Sequence, residues 1–328
     1  MSTLIYKGSP FSVRAGESVL ECLERNEVPI RSSCRAGVCQ SCLVQGKADP
    51  PPSAQKGLTN SLISRHFFLA CQCPAEDSPE LVSEDDLPVY LTRVVAAEKI
   101  GPEVFRVHIE RPLEFVVQPG QFIHLTRPAD GLTRSYSIAG GGADCLLELH
   151  VARLPGGEMS TYLAGTPNEA LELRGPAGDC VYAGKRDEPL LLVGTGTGLA
   201  PLLGVVRAAL GEEHVAPIHL FHGATQADRL YLSRELRGVE KQHDNFFYTE
   251  DVFNPASIAS AESGEMKEAA VGLLALVKAR FPHLAGYRIY LCGNPELVHG
   301  LKRQCFLAGA SMRSIHSDPF VLSHRSES

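Results

Sequence analysis

Short runs in which apolar and polar residues alternate fill the middle of the chain, for example at residues 104–109 and 145–151. Alternation with a period of two is typical of β-strands that bury one face, and glycine and proline separate the runs. Short strands of this kind, regularly spaced, predict a β-barrel over residues 89–185.

The C-terminal part of the chain alternates apolar strand-like runs with longer helix-like segments. The predicted strands are 189–193, 217–222 and 287–292, and the predicted helices are 199–210 and 267–281. This alternation predicts an α/β domain with a parallel sheet over residues 186–328. We make no prediction for residues 244–266.

The N-terminal part is rich in cysteine. Residues 1–88 hold six of the ten cysteines and end in an acidic stretch with proline, which is typical of a solvated linker. A chain of 328 residues is too long for one ordinary core, so several domains are expected. The first ten residues show no signal-peptide pattern, and free thiols in a reducing compartment indicate metal binding or catalysis.

Charge and apolar content argue against two classes of partner. The net charge of −7 argues against nucleic acid, because phosphate binding requires a basic surface. The uncharged stretch 189–206 has the length of a membrane span, but three glycines and Pro201 interrupt it, so a strand, a turn and a helix explain it better. We expect a cytoplasmic, monomeric protein that binds neither nucleic acid nor membrane.

The cysteine spacing indicates an iron–sulfur site. Cys34, Cys39 and Cys42 follow the spacing C-x4-C-x2-C, and 28 residues separate Cys42 from Cys71. This spacing is typical of a plant-type [2Fe–2S] cluster, in which three thiolates share one tight loop and the fourth comes from a separate segment. Cys73 is an alternative fourth ligand. Four cysteines also suit zinc, but zinc sites usually bring two closely spaced pairs and only one is present.

The local sequence around these cysteines is similar to that of a known family. The segment 33–42 resembles the cluster loop of plant-type ferredoxins, and the segment 69–72 resembles the one that carries their final ligand. The resemblance favours Cys71 as the fourth ligand and implies an N-terminal β-grasp domain of the α+β type. The family usually has glycine where this chain has Gln40 or Ser41.

A flavin motif follows. Arg134, Tyr136 and Ser137 form the pattern Arg-x-Tyr-Ser after a Pro-Gly-Gln-Phe run, and together they resemble the flavin-binding barrel of the ferredoxin–NADP⁺ reductase superfamily. The resemblance implies a six-stranded antiparallel barrel. It places Arg134 on the cofactor pyrophosphate, Tyr136 on one isoalloxazine face and Ser137 near flavin N5. Taken alone, the four-residue motif is also compatible with a polar strand end.

A second segment of this block resembles the phosphate loop of the same superfamily. It includes Gly157, Met159 and Ser160 and opens a helix, whose N-terminal N–H groups favour anions. His150 and Val151, just upstream, are expected to run past the flavin. Because this second loop suits a pyrophosphate, FAD is favoured over FMN.

A glycine-rich turn indicates a nicotinamide nucleotide. The run Gly194, Thr195, Gly196, Thr197 and Gly198 lies between a predicted strand and a predicted helix. Glycine lets the backbone approach a pyrophosphate, and the helix N-terminus favours its charge. The third glycine comes one residue too early for the Rossmann fingerprint, but the turn is similar to the version found in the same superfamily.

Two later segments extend the resemblance. Cys292 and Gly293, in a Leu-Cys-Gly-Asn-Pro run, resemble the superfamily's segment near the nicotinamide, where the cysteine helps to steer C4 towards flavin N5. Phe320 resembles the aromatic residue that covers the second flavin face. A buried strand-end thiol and a surface phenylalanine are the alternatives. The resemblance gives Ser137, Cys292 and Phe320 as catalytic residues.

The order of the three motifs resembles the NAD(P)H-dependent reductase components of multicomponent oxygenases. It implies a relay from NADH through FAD and the [2Fe–2S] cluster to a terminal oxygenase or another acceptor protein. A reductase partner of a deoxysugar dehydratase and a redox-sensing module without turnover are the alternatives. NADPH is possible, but residues 222–231 lack a basic cluster for its 2′-phosphate, which favours NADH. No acid–base pair is required, and His222 is predicted to be structural.

Overall fold

The computed structural model describes residues 2–58, 60–84, 88–141, 145–165, 167–252 and 272–321. These residues form two five-stranded sheets, with a closed six-stranded barrel between them in chain order. The predicted boundaries after residues 88 and 185 fall in the connections between one sheet system and the next. The predicted fold class, with an α+β domain, a barrel and an α/β domain, is confirmed.

The first sheet is mixed and packs against a short helix. Its strands are β1 (Thr3–Tyr6), β2 (Ser9–Ser12), β3 (Leu43–Gly46), β4 (Phe67–Leu69) and β5 (Leu81–Glu84), in the order β2-β1-β5-β3-β4. The helices are α1 (Val19–Arg25) and α2 (Asn60–Ser64), with 3₁₀ turns at Pro52–Gln55, Ala70–Gln72 and Ala75–Asp77. A capping box starts α1, because the Ser18 hydroxyl accepts from the Glu21 N–H and the Glu21 carboxylate accepts from the Ser18 N–H.

The barrel is antiparallel throughout. Its strands are β6 (Tyr90–Lys99), β7 (Val104–Glu110), β8 (Phe122–Thr126), β9 (Thr133–Gly141), β10 (Leu146–Ala152) and β11 (Ala170–Ala177), closed in the order β10-β7-β6-β11-β8-β9. Helix α3 (Glu158–Leu163) follows β10. Alternate residues such as Leu147 and Leu149 fill the interior, while Glu148 and His150 point outwards.

The third sheet is parallel. Its strands are β12 (Leu190–Thr195), β13 (Ile218–Ala224), β14 (Phe246–Val252), β15 (Arg288–Gly293) and β16 (Ile315–Pro319), in the order β14-β13-β12-β15-β16. The helices are α4 (Leu199–Gly211), α5 (Ser233–Gln242), α6 (Leu273–Arg280) and α7 (Pro295–Leu307), with 3₁₀ turns at Gly196–Gly198, Ala227–Arg229 and Met312–Ser314. The strand order reverses between β12 and β15, and this reversal opens a crevice at their carboxyl ends, where ligands bind in such sheets.

The predicted elements of this part agree with the observed ones. The uncharged stretch 189–206 forms β12, the glycine turn and most of α4. The predicted helix 267–281 is observed from Leu273 to Arg280, and its first residues lie outside the described part of the chain. Among the helices that the structure describes, none is both long and apolar enough to cross a membrane.

Two ion pairs join the barrel to the third sheet. Arg106 on β7 bonds Glu235 on α5 at 2.9 Å, and Glu148 on β10 bonds Arg207 on α4 at 2.8 Å. Arg207 also donates to the carbonyl of Ala139 on β9. Helix α4 lies along β9, so the crevice at the sheet's carboxyl edge faces the flavin strand predicted from the sequence.

Candidate functional site

The loop between α1 and β3 brings two cysteines together. The Cys34 N–H donates to the Cys39 sulfur at 3.4 Å, and the Cys39 N–H donates to the Cys34 sulfur at 3.3 Å. A further N–H, from Ala36, points at the Cys34 sulfur. The hydrogen bond from the Cys39 thiol, helped by these N–H groups, lowers the pKa of Cys34 although burial opposes it. The loop therefore stabilises the thiolate of Cys34.

The second pair lies beside the first. The thiols of Cys42 and Cys71 share a hydrogen bond, and the Gly37 N–H of the cluster loop reaches the Cys71 sulfur. Cys73 takes no part, because its side chain is fully buried in the domain core and its thiol points at the Pro74 carbonyl. The geometry therefore supports Cys71, and not Cys73, as the fourth ligand.

Two pairs of thiols fit a cluster with two irons, each of which takes two protein ligands. Gln40 and Ser41, the positions where this chain departs from the ferredoxin pattern, both affect the geometry of this loop. Gln40 has a φ of +60°, the left-handed region that favours glycine. Its neighbour Ser41 places a hydroxyl 3.0 Å from the Cys39 sulfur. A hydroxyl at this distance is the kind of contact that tunes a cluster's potential.

The predicted flavin motif lies on β9, in register with β8. Ser137 is opposite Phe122, and Tyr136 is opposite Ile123. Tyr136 packs partly against the barrel core, and burial raises the pKa of its phenol. Arg134 donates to the carbonyl of Thr133, so its guanidinium is folded along its own strand.

Ser137 has a partner that sequence reasoning missed. Its hydroxyl donates to the Asp318 carboxylate at 3.1 Å, across 181 positions of the chain. Asp318 is on β16, two residues before Phe320, and the residue is half-buried. Burial raises the pKa of Asp318 to about 7, a shift that the Ser137 hydrogen bond opposes and the Asp179 charge supports. Only the fold reveals this pair, because it joins a barrel strand to the last strand of the third sheet.

The nicotinamide motifs meet at the crevice between β12 and β15. An ideal Cβ at Gly198 would lie 2.5 Å from the Cys292 carbonyl oxygen, so only glycine lets the turn touch β15. Thr195 accepts from the Asn294 N–H at 2.9 Å. Cys292 is buried with its sulfur 3.7 Å from that of Cys180. Phe320 is half-buried and its N–H donates to the Gly293 carbonyl at 2.7 Å.

Several predicted contacts face away from the crevice. Val151 and Met159 point into the barrel core, so any contact they make with a cofactor runs through the main chain. Ser160 donates to the Gly157 carbonyl and accepts from the Leu154 N–H, which fixes the turn before α3. His150 points towards the third sheet and not along the barrel. These positions remain predictions as cofactor contacts.

Family models match all three units. The 2Fe-2S iron-sulfur cluster binding domain matches residues 4–76, the oxidoreductase FAD-binding domain matches 92–182, and the oxidoreductase NAD-binding domain matches 192–303. The matches follow the order of the predicted motifs. They support a [2Fe–2S] cluster over the zinc alternative.

Curated relatives cover nearly the whole chain. One is the ferredoxin–NAD(P)⁺ reductase component of naphthalene 1,2-dioxygenase/salicylate 5-hydroxylase systems of a Ralstonia species, 30% identical over 94% of this chain and 95% of its own. Another, the naphthalene 1,2-dioxygenase component of Pseudomonas putida, is 31% identical over 95% of both. A solved cytochrome P450 reductase from Amycolatopsis is 26% identical, covers 98% of this chain and 99% of its own, and has a TM-score of 0.65.

These matches agree with the geometry. The chain is an oxidoreductase that acts on NAD(P)H, with FAD and a [2Fe–2S] cluster as its redox groups. It belongs to the family of reductase components of oxygenase systems, in which a [2Fe–2S] ferredoxin domain is fused to an FAD- and NAD-binding reductase module.

Proposed function

We propose that this chain is a cytoplasmic monomer that takes electrons from NADH and delivers them singly to the terminal oxygenase of a multicomponent system. The observation that carries the proposal is the bond between Ser137 and Asp318. It joins the flavin strand of the barrel to the crevice where the nicotinamide motifs meet. The names of the relatives support delivery to an oxygenase system, directly or through its ferredoxin, because the Ralstonia and Pseudomonas proteins are ferredoxin–NAD(P)⁺ reductase components of such systems.

The chain's own residues supply binding and orientation. The four paired cysteines hold the cluster, Arg134 and Tyr136 hold the flavin, and the turn 194–198 holds the dinucleotide. When bound, FAD supplies the change from two-electron to one-electron transfer, and the cluster supplies a single-electron carrier. Asp318 fixes the rotamer of Ser137 by accepting a hydrogen bond from its hydroxyl group. Cys292 and Phe320 border the same crevice and limit the orientations that a nicotinamide ring can adopt.

Two arginines near the cluster are engaged within the chain. Arg35 pairs with Glu24 at 2.9 Å, and Arg31 pairs with Glu172 of the barrel at 3.7 Å. Their charges are thus largely balanced, so they offer little to an acidic acceptor. The Arg31–Glu172 pair also links the cluster domain to the flavin barrel. Such a link suits electron transfer from the flavin to the cluster within one chain.

Acidic groups near the dinucleotide site support NADH as the donor. Glu250 and Asp251 lie at the carboxyl end of β14, opposite His222 and Gly223 of β13. One carboxylate oxygen of each is buried without a hydrogen-bond partner among the described residues, and burial raises the pKa of Asp251. Acidic groups at this edge suit ribose hydroxyls, whereas the 2′-phosphate of NADPH would be repelled.

The Asp251→Asn variant is expected to lower the KM for NADPH about fivefold relative to that for NADH, since one like charge near a phosphate costs about 1 kcal/mol. Steady-state kinetics with both donors give the ratio. Asp244→Asn, at the opposite end of β14, is the matched control and should leave it unchanged. If the ratio of the two KM values is unaltered in Asp251→Asn, this carboxylate does not contribute to the choice between NADH and NADPH.

An anaerobic absorbance titration tests the proposed function itself. NADH is expected to bleach the flavin and cluster bands together, with an endpoint of about three electrons per chain, two for FAD and one for the cluster. NADPH, titrated in parallel, should need a higher concentration. Turnover with a purified naphthalene-type oxygenase, with and without its ferredoxin, then tests the acceptor. Bleaching without turnover would favour a sensing module, and flavin bleaching without a cluster band would contradict the cysteine assignment.

A further inference from the structure

A group of buried aromatic and acidic side chains fills the space between the flavin barrel and the glycine turn. His222 on β13 is fully buried and bonds the turn directly. Tyr231 presents its ring edge-on to the rings of both His222 and His150, each at 5.4 Å. Glu148 of β10 closes the group, because its carboxylate bonds His150 at 2.9 Å. The group thus runs from the barrel strand to the turn without an exposed member.

The hydrogen bonds fix the tautomer of His222. Its Nε2 lies 3.2 Å from the Gly196 carbonyl oxygen, and its Nδ1 lies 3.4 Å from the Tyr248 hydroxyl. Burial lowers the pKa of His222 to about 4, although the Gly196 bond opposes this, so the ring is neutral at pH 7. A carbonyl can only accept, so the single ring proton is on Nε2, and Nδ1 accepts from the Tyr248 hydroxyl.

The bond to Gly196 helps to set the direction of a main-chain donor, together with the bond that the same carbonyl accepts from the Leu199 N–H. Gly196 has a φ of +52°, which turns its carbonyl inwards to His222. In a trans peptide the carbonyl and the following N–H point in opposite directions. A carbonyl held inwards therefore holds the Thr197 N–H outwards, at the start of the turn that leads into α4. N–H groups in this place are the ones that bind phosphate.

We propose that His222 is a positioning residue for the dinucleotide pyrophosphate, which it orients through the peptide between Gly196 and Thr197. The inference rests on the proposed function, because it deepens the role of the glycine turn. Tyr231 and His150 hold the His222 ring in place from the barrel side. The residue touches no substrate itself, and its effect is on the affinity for the dinucleotide and not on the hydride step.

Two substitutions at this position separate a hydrogen bond from mere packing. The Gln side chain of His222→Gln carries its amide nitrogen to about the reach of Nε2, whereas the shorter side chain of His222→Asn does not. Both place an amide in the same buried space, so they share the cost of a changed core. Melting temperature, flavin content and the cluster spectrum measure that shared cost.

The test is the Kd of NAD⁺, measured by calorimetry on the protein loaded with FAD and cluster. His222→Gln is expected to bind NAD⁺ nearly as the wild type does, and His222→Asn about five- to tenfold more weakly, which is the range of one hydrogen bond. At saturating NADH both should retain the wild-type kcat for ferricyanide, so the loss in His222→Asn appears in KM.

Three results would overturn the inference or the function beneath it. Wild-type affinity in His222→Asn would show that the bond to Gly196 is irrelevant to NAD⁺ binding. Equal weakening in both variants would show that the ring acts only by packing. Failure of the wild-type protein to bind NAD⁺ would overturn the proposed function, and the inference with it.

Discussion

The Cys71→Ala variant is expected to lose the [2Fe–2S] cluster and, with it, electron transfer to one-electron protein acceptors. Cys71 completes the pair with Cys42, and without it one iron loses half of its protein ligands. The drop in acceptor reduction should exceed the roughly hundredfold loss that changes around a metal ligand cause. Reduction of ferricyanide by NADH should persist, because the barrel and the third sheet are unaltered. Iron content and the visible spectrum give the direct measurement.

Cys73→Ala is the matched control, two residues further along. Its side chain is fully buried and belongs to the domain core, so its removal should cost about 1 kcal/mol of stability and leave the cluster in place. A cluster that survives in Cys71→Ala but disappears in Cys73→Ala would reverse the assignment of the fourth ligand.

The rate of flavin reduction by NADH is expected to fall as the pH rises through about 7, the pKa at which Asp318 ionises. Hydride transfer would move negative charge from the nicotinamide to the flavin, on the side of the crevice where Ser137 lies, and an ionised carboxylate bonded to Ser137 opposes that shift. One charge at such a distance corresponds to about a tenfold change in rate, or about 1.4 kcal/mol. Asp318→Asn, which is neutral at every pH, should give a flat profile at the level of the low-pH wild type. Stopped-flow absorbance at several pH values is the measurement.

Asp179→Asn serves as the control for this profile. The Asp179 charge helps to raise the pKa of Asp318, so its removal should move the midpoint to lower pH and keep the dependence itself. A wild-type profile that is flat between pH 6 and 8 would exclude Asp318 from the reduction step.

Stability gives an independent check on the same group. The pKa of Asp318 is raised from 3.8 to about 7, so the folded protein prefers the neutral form. Its ionisation therefore opposes folding increasingly as the pH rises from about 4 to 7. Asp318→Asn should melt at a higher temperature than the wild type at pH 8, and the difference should vanish at low pH.

Local patterns in the sequence predict most of this architecture, because strand alternation, the glycine turn and the cysteine spacing are each set within a few neighbouring residues. They do not predict contacts between distant segments. Asp318 lies two residues before Phe320, in a segment where the sequence points only to Phe320. Its partner Ser137 is in another domain. Spacing leaves Cys71 and Cys73 open, and the structure separates them because Cys71 bonds Cys42 whereas Cys73 is buried with its thiol on the Pro74 carbonyl.

The roles proposed for two further residues could not be predicted from the sequence, for other reasons. Asp251 lies in 244–266, where irregular composition gave no prediction. His222 is predicted to be structural because the proposed chemistry requires no acid–base pair, and the sequence around it does not indicate what it bonds. The fold supplies that partner in the carbonyl of Gly196.

The contacts of Glu148 between the barrel and the third sheet do not change in the pH range where Asp318 changes its charge. Burial opposes ionisation of Glu148, but the His150 hydrogen bond and the Arg207 charge hold its pKa at about 2. The stabilisation it provides is present above about pH 4.5 and is lost only as the pH falls towards 2. Asp318 changes its charge near pH 7, where the charge of Glu148 does not change. We therefore expect alkaline pH to slow flavin reduction while the contacts between the barrel and the third sheet stay intact, so a return to neutral pH should restore the rate without refolding.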